Sequence, residues 1–263
     1  MDSLLNSLSL IDLSHSLHPN IPSWEPHKIL SIEEKETFSI YSKHVYTLDG
    51  GLSTHIDSPL HFFKSGFDVS KIEIKKLFVR LILIDISEKC SQKNDYQLSL
   101  DDVLQYENEI QKIEKNDFIV VYTGWSKFWN NVEKYRGSIK LKKENLVKSN
   151  LDETIESLIL KKEGQESKEE CEYEERYEFP TVSKDTISFL IARDISGIGI
   201  DTLSPDIDED FPVHKAILGT GRFIIENLNE NLELLPKQGG YLIIAPLKIE
   251  GGGEAPTRVF ALI

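Results

Sequence analysis

Residues 51–63 read GGLSTHIDSPLHF, and this short stretch holds two histidines and an aspartate, His55, Asp57 and His61. The three residues are an even number of positions apart, so in an extended chain their side chains point to the same face. Neighbours two apart on one face lie about 7 Å apart, which lets an imidazole and a carboxylate converge on one ion. Pro59 would end the strand and turn the chain, which places His61 at the rim of the same cavity. The alternative is a strand end whose polar residues only face water, and the stretch by itself leaves both open.

The C-terminal third of the chain offers further ligands in FPVHKAILGTGRFIIEN, residues 211–227. His214 lies near the start of a short helical pattern that Gly219 can terminate, and Glu226 follows on an apolar strand. A carboxylate in such a strand is costly to bury without a partner, so Glu226 is a candidate metal ligand. Pairing of Glu226 with Arg222 or a surface lysine explains the same pattern equally well.

The charge balance excludes one class of partner. The chain has 263 residues and a formal net charge of −14, which opposes general binding to nucleic acid phosphates and favours a small-molecule substrate. Its two cysteines, Cys90 and Cys171, lie far apart in sequence, so a disulfide framework is not expected and a reducing compartment is. We find no basic leader and no uncharged apolar run of the roughly 20 residues that a spanning helix needs, and therefore predict a cytoplasmic protein without membrane contact.

Short β-branched and aliphatic runs alternate with amphipathic segments, and this order predicts an α/β fold. The predicted strands are residues 77–87, 117–125, 195–202, 222–228 and 240–249. Two predicted helices begin after the N-cap residues Ser99 and Ser183. Residues 161–178, KKEGQESKEECEYEERYE, are almost wholly polar and cannot bury enough apolar surface to offset the entropy of ordering. We predict one domain, residues 1–263, with a charged insertion at about 161–178.

Other motifs fail on inspection. DIDED, residues 206–210, resembles the start of a calcium loop but lacks the glycine and the final glutamate of that loop, so we predict a solvated acidic loop. GGGE, residues 251–254, is predicted to be a turn. The chain has no G-x-S-x-G elbow, which argues against a serine hydrolase of the α/β type.

These segments together resemble the metal-dependent cyclase and arylformamidase family, which includes kynurenine formamidase. The family signature H-x-G-T-H-x-D-x-P-x-H aligns with residues 51–61, so Gly51 stands where the family has its first histidine and Ser53 where it has glycine. The resemblance continues in residues 11–24, IDLSHSLHPNIPSW, and in residues 245–263, APLKIEGGGEAPTRVFALI. It implies a single α/β domain of the swivelling β/β/α type with a mixed sheet, assembled as a homodimer.

The resemblance also assigns roles to individual residues. It makes His61 the general acid and base, and Trp24 a wall of the substrate pocket. It assigns the metal to four ligands, with the aspartate able to bridge two ions: His55, Asp57, His214 and Glu226. Histidine and carboxylate ligands favour zinc, with manganese as the alternative.

The function that follows is a metal-dependent hydrolase that cleaves an amide, formamide or lactam carbon–nitrogen bond of a small molecule. Because Gly51 offers no side chain to a metal, three outcomes stay open. A single ion is held mainly by the ligands other than His55, or a substitute ligand such as Asp49 or His44 takes the empty place, or the chain is a non-enzymatic small-ligand-binding protein on the same fold. A structural or adaptor role rests only on the composition of the charged insertion.

Overall fold

The computed structural model describes residues 8–24, 30–36, 40–142 and 173–263. Within these ranges the strands are, in chain order, β1 Leu10–Asp12, β2 Leu30–Glu36, β3 Lys43–Leu48, β4 His55–Asp57, β5 Phe78–Asp85, β6 Gln97–Leu98, β7 Phe118–Tyr122, β8 Ser138–Lys142, β9 Tyr173–Tyr177, β10 Thr181–Val182, β11 Gly197–Ile200, β12 Phe223–Glu226, β13 Tyr241–Pro246 and β14 Glu254–Leu262. The helices are α1 Ser87–Gln92, α2 Leu100–Glu109, α3 Val132–Arg136, α4 Lys184–Ala192 and α5 Pro212–Gly219. All five strands predicted from the sequence are present, with shorter bounds.

Seven strands close into a barrel. Their order is β14, β13, β5, β7, β11, β12 and β4, and β4 pairs back with β14 while β1 adds to β14 as an eighth strand. The strands β5, β7, β11 and β12 run parallel to one another, whereas β4, β13 and β14 pair antiparallel with their neighbours. The predicted single α/β domain with a mixed sheet is confirmed, and the structure adds the closure of that sheet.

The parallel strands are apolar on both faces because both faces are covered. On β5, Leu81 and Leu83 pack in the cluster inside the barrel, and Ile82 and Ile84 pack in the cluster under the helices. The predicted starts of α2 and α4 are confirmed, since the N-cap side chains Ser99 and Ser183 accept hydrogen bonds from backbone N–H groups of the first turn. The continuous apolar runs that predicted strands thus reflect burial on two faces, and the amphipathic patterns that predicted helices reflect burial on one.

The charged segment is seen only at its end. Residues 143–172 lie outside the described residues, and Tyr173–Tyr177 forms β9, antiparallel to β8. The predicted insertion at 161–178 and the domain bounds 1–263 therefore stay predictions. Cys90 is a buried free thiol, whereas Cys171 lies outside the described ranges. In the part of the chain that the structure describes, no helix is both long enough and apolar enough to span a membrane.

The strand β4 carries the first half of the motif and lies between β12 and β14. Its central residue, Ile56, packs in the cluster inside the barrel, so His55 and Asp57 point to the outer face. In the sheet register Glu226 lies opposite His55, and Glu254 lies opposite Asp57. Directly opposed residues of antiparallel strands share a face, so the register places all four polar side chains on one outer patch.

Hydrogen bonds fix the turn that precedes β4. The Thr54 hydroxyl donates to the Asn227 carbonyl at 2.6 Å, and the Asn227 side-chain amide donates to the Ser53 carbonyl at 3.0 Å. The backbone N–H of His15 donates to the Thr54 hydroxyl at 2.9 Å. Ser53 and Asn227 both have left-handed backbones, with φ of 57° and 56°. The turn before His55 is thereby bound to the residue that follows Glu226.

His15 gives the fold a pH dependence that can be measured. Its ring stacks on Trp129 with the centroids 3.8 Å apart, and burial lowers its pKa from the ordinary 6.5 to about 4. Because the folded pKa lies below the unfolded one, the unfolded chain takes up the proton first as the pH falls, and stability is lost between about pH 6.5 and pH 4. The variant His15→Phe keeps a ring on Trp129 but has no group that titrates. Between about pH 7.5 and about pH 5, we expect the free energy of unfolding of the wild type to fall by about 2 kcal/mol more than that of His15→Phe.

Urea unfolding at the two pH values measures this difference. His44→Phe is the matched control, since His44 is an exposed histidine on β3, and it should retain the pH dependence of the wild type. An equally steep loss of stability in His15→Phe would contradict the assignment.

Candidate metal centre

The four predicted ligands come together on the outer face of the barrel. His55 Nε2 lies 3.4 Å from Asp57 Oδ1 and 3.3 Å from Glu226 Oε2. His214 Nε2 lies 3.5 Å from Asp57 Oδ2 and 3.1 Å from Glu226 Oε1. Each carboxylate therefore presents one oxygen to each histidine, and all four side chains are buried.

This arrangement excludes the simpler explanations of the two sequence patterns. A strand end that faces water is excluded, because His55 and Asp57 are only 3% and 1% exposed. Pairing of Glu226 with Arg222 is excluded as well, because the Arg222 guanidinium donates to the Asp194 carboxylate and to a backbone carbonyl. The polar residues of both segments meet each other instead.

The outer nitrogen of each histidine is held by an acceptor. His55 Nδ1 lies 2.9 Å from the Ser53 carbonyl oxygen, and His214 Nδ1 lies 2.8 Å from Asp206 Oδ2. Carbonyl and carboxylate oxygens accept hydrogen bonds, so each Nδ1 carries the proton and donates it. Both Nε2 atoms then face the carboxylates of Asp57 and Glu226, the orientation in which an imidazole can bind a metal.

Asp206, which contacts His214, is a residue that the sequence analysis placed wrongly. It was predicted to belong to a solvated acidic loop, yet it is 3% exposed, whereas residues 208–210 of the same stretch are exposed. Its carboxylate also accepts from the backbone N–H groups of Val213 and His214, each at 2.9 Å. The sequence did contain a sign of this contact, because Asp206 comes shortly before Pro212, which starts a helix, and the unpaired backbone N–H groups of a first helical turn attract a carboxylate.

The chemistry of the centre fits a cation. Among the described residues, no group donates a hydrogen bond to Asp57 Oδ1, Asp57 Oδ2 or Glu226 Oε1, although these atoms are buried. Burial opposes protonation of His55, but the charges of Asp57 and Glu226 outweigh it and raise the pKa of His55 to about 10. Burial likewise opposes protonation of His214, and its acidic neighbours raise its pKa well above the ordinary value. The carboxylates thus hold positive charge at both rings, and a divalent ion would take the place of the two Nε2 protons, so the four side chains fit a ligand set for such an ion.

His61 and Glu254 lie beside this centre. The 3₁₀ turn Pro59–His61 follows β4 as the sequence predicted, and His61 lies at the cavity rim with its side chain 31% exposed. His61 Nδ1 is 3.6 Å from Glu254 Oε2, and ligand atoms of Asp57, His61 and Glu254 lie within 4.8 Å of one another. Glu254 was predicted to be part of a turn, but it begins the strand β14.

The cavity above the centre has a volume of about 530 Å³ and an aromatic wall. The ring of Phe211 lies 6.0 Å from that of Trp24 and 5.5 Å from that of Phe62, between centroids. Phe211 is the N-cap of α5 and has a left-handed backbone with φ of 47°. Its side chain lines the cavity. Asp49 lines the cavity, whereas His44 lies exposed on β3. The lining residues include Ser23, Trp24, Asp49, Gly50, Gly51, Leu52, His55, Asp57, His61, Phe62, Leu203, Ser204, Phe211, His214, Glu226 and Glu254.

The same fold occurs in proteins of known structure. Isatin hydrolase A from Ralstonia solanacearum is 20% identical with a TM-score of 0.79, and the match covers 99% of this chain and 94% of that one. An isatin hydrolase bound to the product analogue thioisatinate is 23% identical, also with a TM-score of 0.79 and the same coverage. At these identities the comparison shows the fold alone.

Sequence comparisons extend over nearly the whole chain. An isatin hydrolase of Roseibium aggregatum is 26% identical over 265 residues, which cover 97% of this chain and 86% of the relative. An uncharacterized protein of Methanocaldococcus jannaschii is 26% identical over 256 residues, which cover 97% of this chain and all of that protein. The family model described as putative cyclase matches residues 11–207. Because this match spans most of the sequence, the chain belongs to the putative cyclase family.

Proposed function

We propose that this protein is a metal-dependent hydrolase that cleaves the carbon–nitrogen bond of a small cyclic amide, formamide or lactam. The observation that carries the proposal is the buried pair of carboxylates, Asp57 and Glu226, which face two oriented histidine nitrogens. Among the described residues, three of their four oxygens have no hydrogen-bond donor. The predicted class, a metal-dependent amide hydrolase, is confirmed by the family match and by the full-length relative named isatin hydrolase. A non-enzymatic binding protein on the same fold is not favoured.

Four residues would hold the metal, His55, Asp57, His214 and Glu226. Mixed histidine and carboxylate ligands suit zinc, and manganese is the alternative because it accepts carboxylates well. A bound divalent ion lowers the pKa of its water toward about 7 and polarises a carbonyl group. The contribution of the protein is to keep the two Nε2 atoms and the carboxylate oxygens aimed at one place and to exclude bulk water from them.

His61 is placed to carry the protons of the reaction. Hydrolysis of an amide takes a proton from water and gives one to the leaving nitrogen, and a histidine performs both transfers near neutral pH. His61 lies at the cavity rim, partly exposed, next to the buried ligands. The neighbouring Glu254 carboxylate has one oxygen 3.6 Å from Nδ1 of this ring.

The aromatic wall indicates the substrate class. Trp24 stacks on Tyr177 with the centroids 4.8 Å apart, so its ring is held in place at the cavity. Together with Phe62 and Phe211 it offers flat apolar surface to a ring of the substrate. An aromatic lactam such as isatin matches both this wall and the reaction named for the relative.

The remaining expectations complete the proposal. The resemblance supports the swivelling β/β/α type of fold and a homodimer. The low cysteine count supports a cytoplasmic location, and the net charge of −14 supports a small-molecule partner over nucleic acid. A single domain over residues 1–263, with the charged insertion at 161–178, is the arrangement we propose for the whole chain.

Substitution of His61 separates proton transfer from metal binding. We expect His61→Ala to lower the rate of hydrolysis of isatin or of an aryl formamide by about 10²- to 10⁴-fold, because the group that carries the protons is removed. Affinity for Mn²⁺, measured by calorimetric titration, should stay close to that of the wild type. His44→Ala, at the exposed histidine on β3, is the control and should keep full activity. Undiminished turnover in His61→Ala would rule out the proposed role.

Substitution of Asp206 tests how His214 is oriented. Asp206→Asn loses the negative charge that holds the His214 Nδ1 proton, and we expect Mn²⁺ affinity to fall by about 10- to 100-fold. Asp208→Asn is the matched control, since Asp208 is an exposed residue of the same loop and should bind Mn²⁺ like the wild type. Equal affinities in the two variants would show that Asp206 does not support the centre.

A further inference from the structure

Glu254 shares the outer patch with the proposed metal ligands but is not one of those four residues. In the register of β14 and β4 it lies directly opposite Asp57, so the two side chains are neighbours on one face. Its carboxylate has one oxygen near His61, and ligand atoms of the two acids lie within 4.8 Å of each other. Two like charges at directly opposed positions are destabilising unless something positive lies between them.

The chain makes room for this carboxylate at Gly51. A Cβ atom added to Gly51 would overlap Glu254 Oε1 and would lie 3.5 Å from His55 Nε2. The space that a side chain at position 51 would enter therefore holds a carboxylate oxygen, on the His55 side of the centre. Gly50 is similarly close, since a Cβ there would lie 3.0 Å from the Cβ of Glu254.

The backbone at Gly51 does not itself require glycine. Gly51 is absent from the residues with positive φ, so its conformation is open to other residue types. A Cβ at position 51 would force Glu254 Oε1, the far end of a flexible side chain, to move, so a side chain at position 51 and the present position of this carboxylate are mutually exclusive. The absence of a side chain at Gly51 thus leaves the space in which the Glu254 carboxylate lies.

Two further observations point to a cation at this carboxylate. Asp57, directly opposite, is 1% exposed, and within the described chain neither of its oxygens has a hydrogen-bond donor. The oxygens of Asp57 lie toward different histidines. The space at Gly51 borders both Glu254 Oε1 and His55 Nε2, since a Cβ built there would meet the first and lie 3.5 Å from the second. One imidazole nitrogen and two carboxylates are three protein ligands of the kinds that zinc and manganese accept.

We infer that Glu254 is a metal ligand, which completes with His55 and Asp57 the donor set on the His55 side of the centre, in the space that Gly51 leaves. The substitute for the missing side chain at position 51 is then Glu254, and neither Asp49 nor His44 is needed for that purpose. This inference rests on the metal centre proposed above. If Glu254 served only to orient His61, its substitution would change the pH profile of turnover and leave metal affinity intact.

Mn²⁺ titration of the metal-free protein tests the inference, with calorimetry for affinity and elemental analysis after dialysis for the amount bound. Glu254→Gln has the size of the native side chain but is a much weaker ligand. We expect at least one Mn²⁺ to bind more weakly by over about 100-fold, beyond the loss that an outer-shell partner causes. Glu250→Gln is the matched control, because Glu250 is an exposed acidic residue of the loop that leads into β14 and should bind as the wild type does.

Circular dichroism and thermal melting without metal verify that both variants fold. Affinity and amount of Mn²⁺ in Glu254→Gln equal to those of the wild type would overturn the inference, even if turnover fell, and would leave the proposed centre standing. A wild-type protein that binds no Mn²⁺ at all would overturn the metal centre and the inference together.

Discussion

The site depends on one constraint, the burial of two carboxylates side by side between two histidines. Asp57 and Glu226 lie on neighbouring strands at 1% and 5% exposure, and three of their four oxygens have no hydrogen-bond donor among the described residues. Such an arrangement is unfavourable for a protein unless positive charge compensates it. Without metal the protonated rings of His55 and His214 supply such charge, because their pKa values are raised. A divalent cation would replace those protons, and the histidine nitrogens already face the place where it would bind.

The closed barrel holds these side chains in place. Closure of the sheet at β4 brings together β12 and β14, so ligands from distant parts of the chain meet on one face. The Asn227 side chain is held in turn, since the Tyr135 hydroxyl lies 2.9 Å from Asn227 Oδ1 and donates to it. Because Asn227 also binds the turn before His55, hydrogen bonds connect the ends of the two strands that carry the carboxylates.

Much of this could be predicted from local patterns, and the rest could not. Period-two alternation placed His55 and Asp57 on one face, because side-chain direction in a strand depends only on parity. Closure of the barrel could not be predicted, since β4 has three residues and its pairing with β14 joins distant segments. Asp206 and Glu254 were missed for a related reason, since a polar residue in a polar or glycine-rich run is typical of exposed chain. Only tertiary packing, against α5 for Asp206 and against β4 for Glu254, brings each one to the centre.

The most direct measurement is anomalous diffraction from crystals of the protein grown with Mn²⁺, recorded at the manganese absorption edge. The account predicts an anomalous peak within about 2.0–2.3 Å of Asp57 and of at least one of the histidine Nε2 atoms, at the usual lengths of metal–ligand bonds. A well-ordered centre without anomalous density at Asp57, in crystals saturated with Mn²⁺, would contradict the central claim that a cation compensates the buried carboxylates.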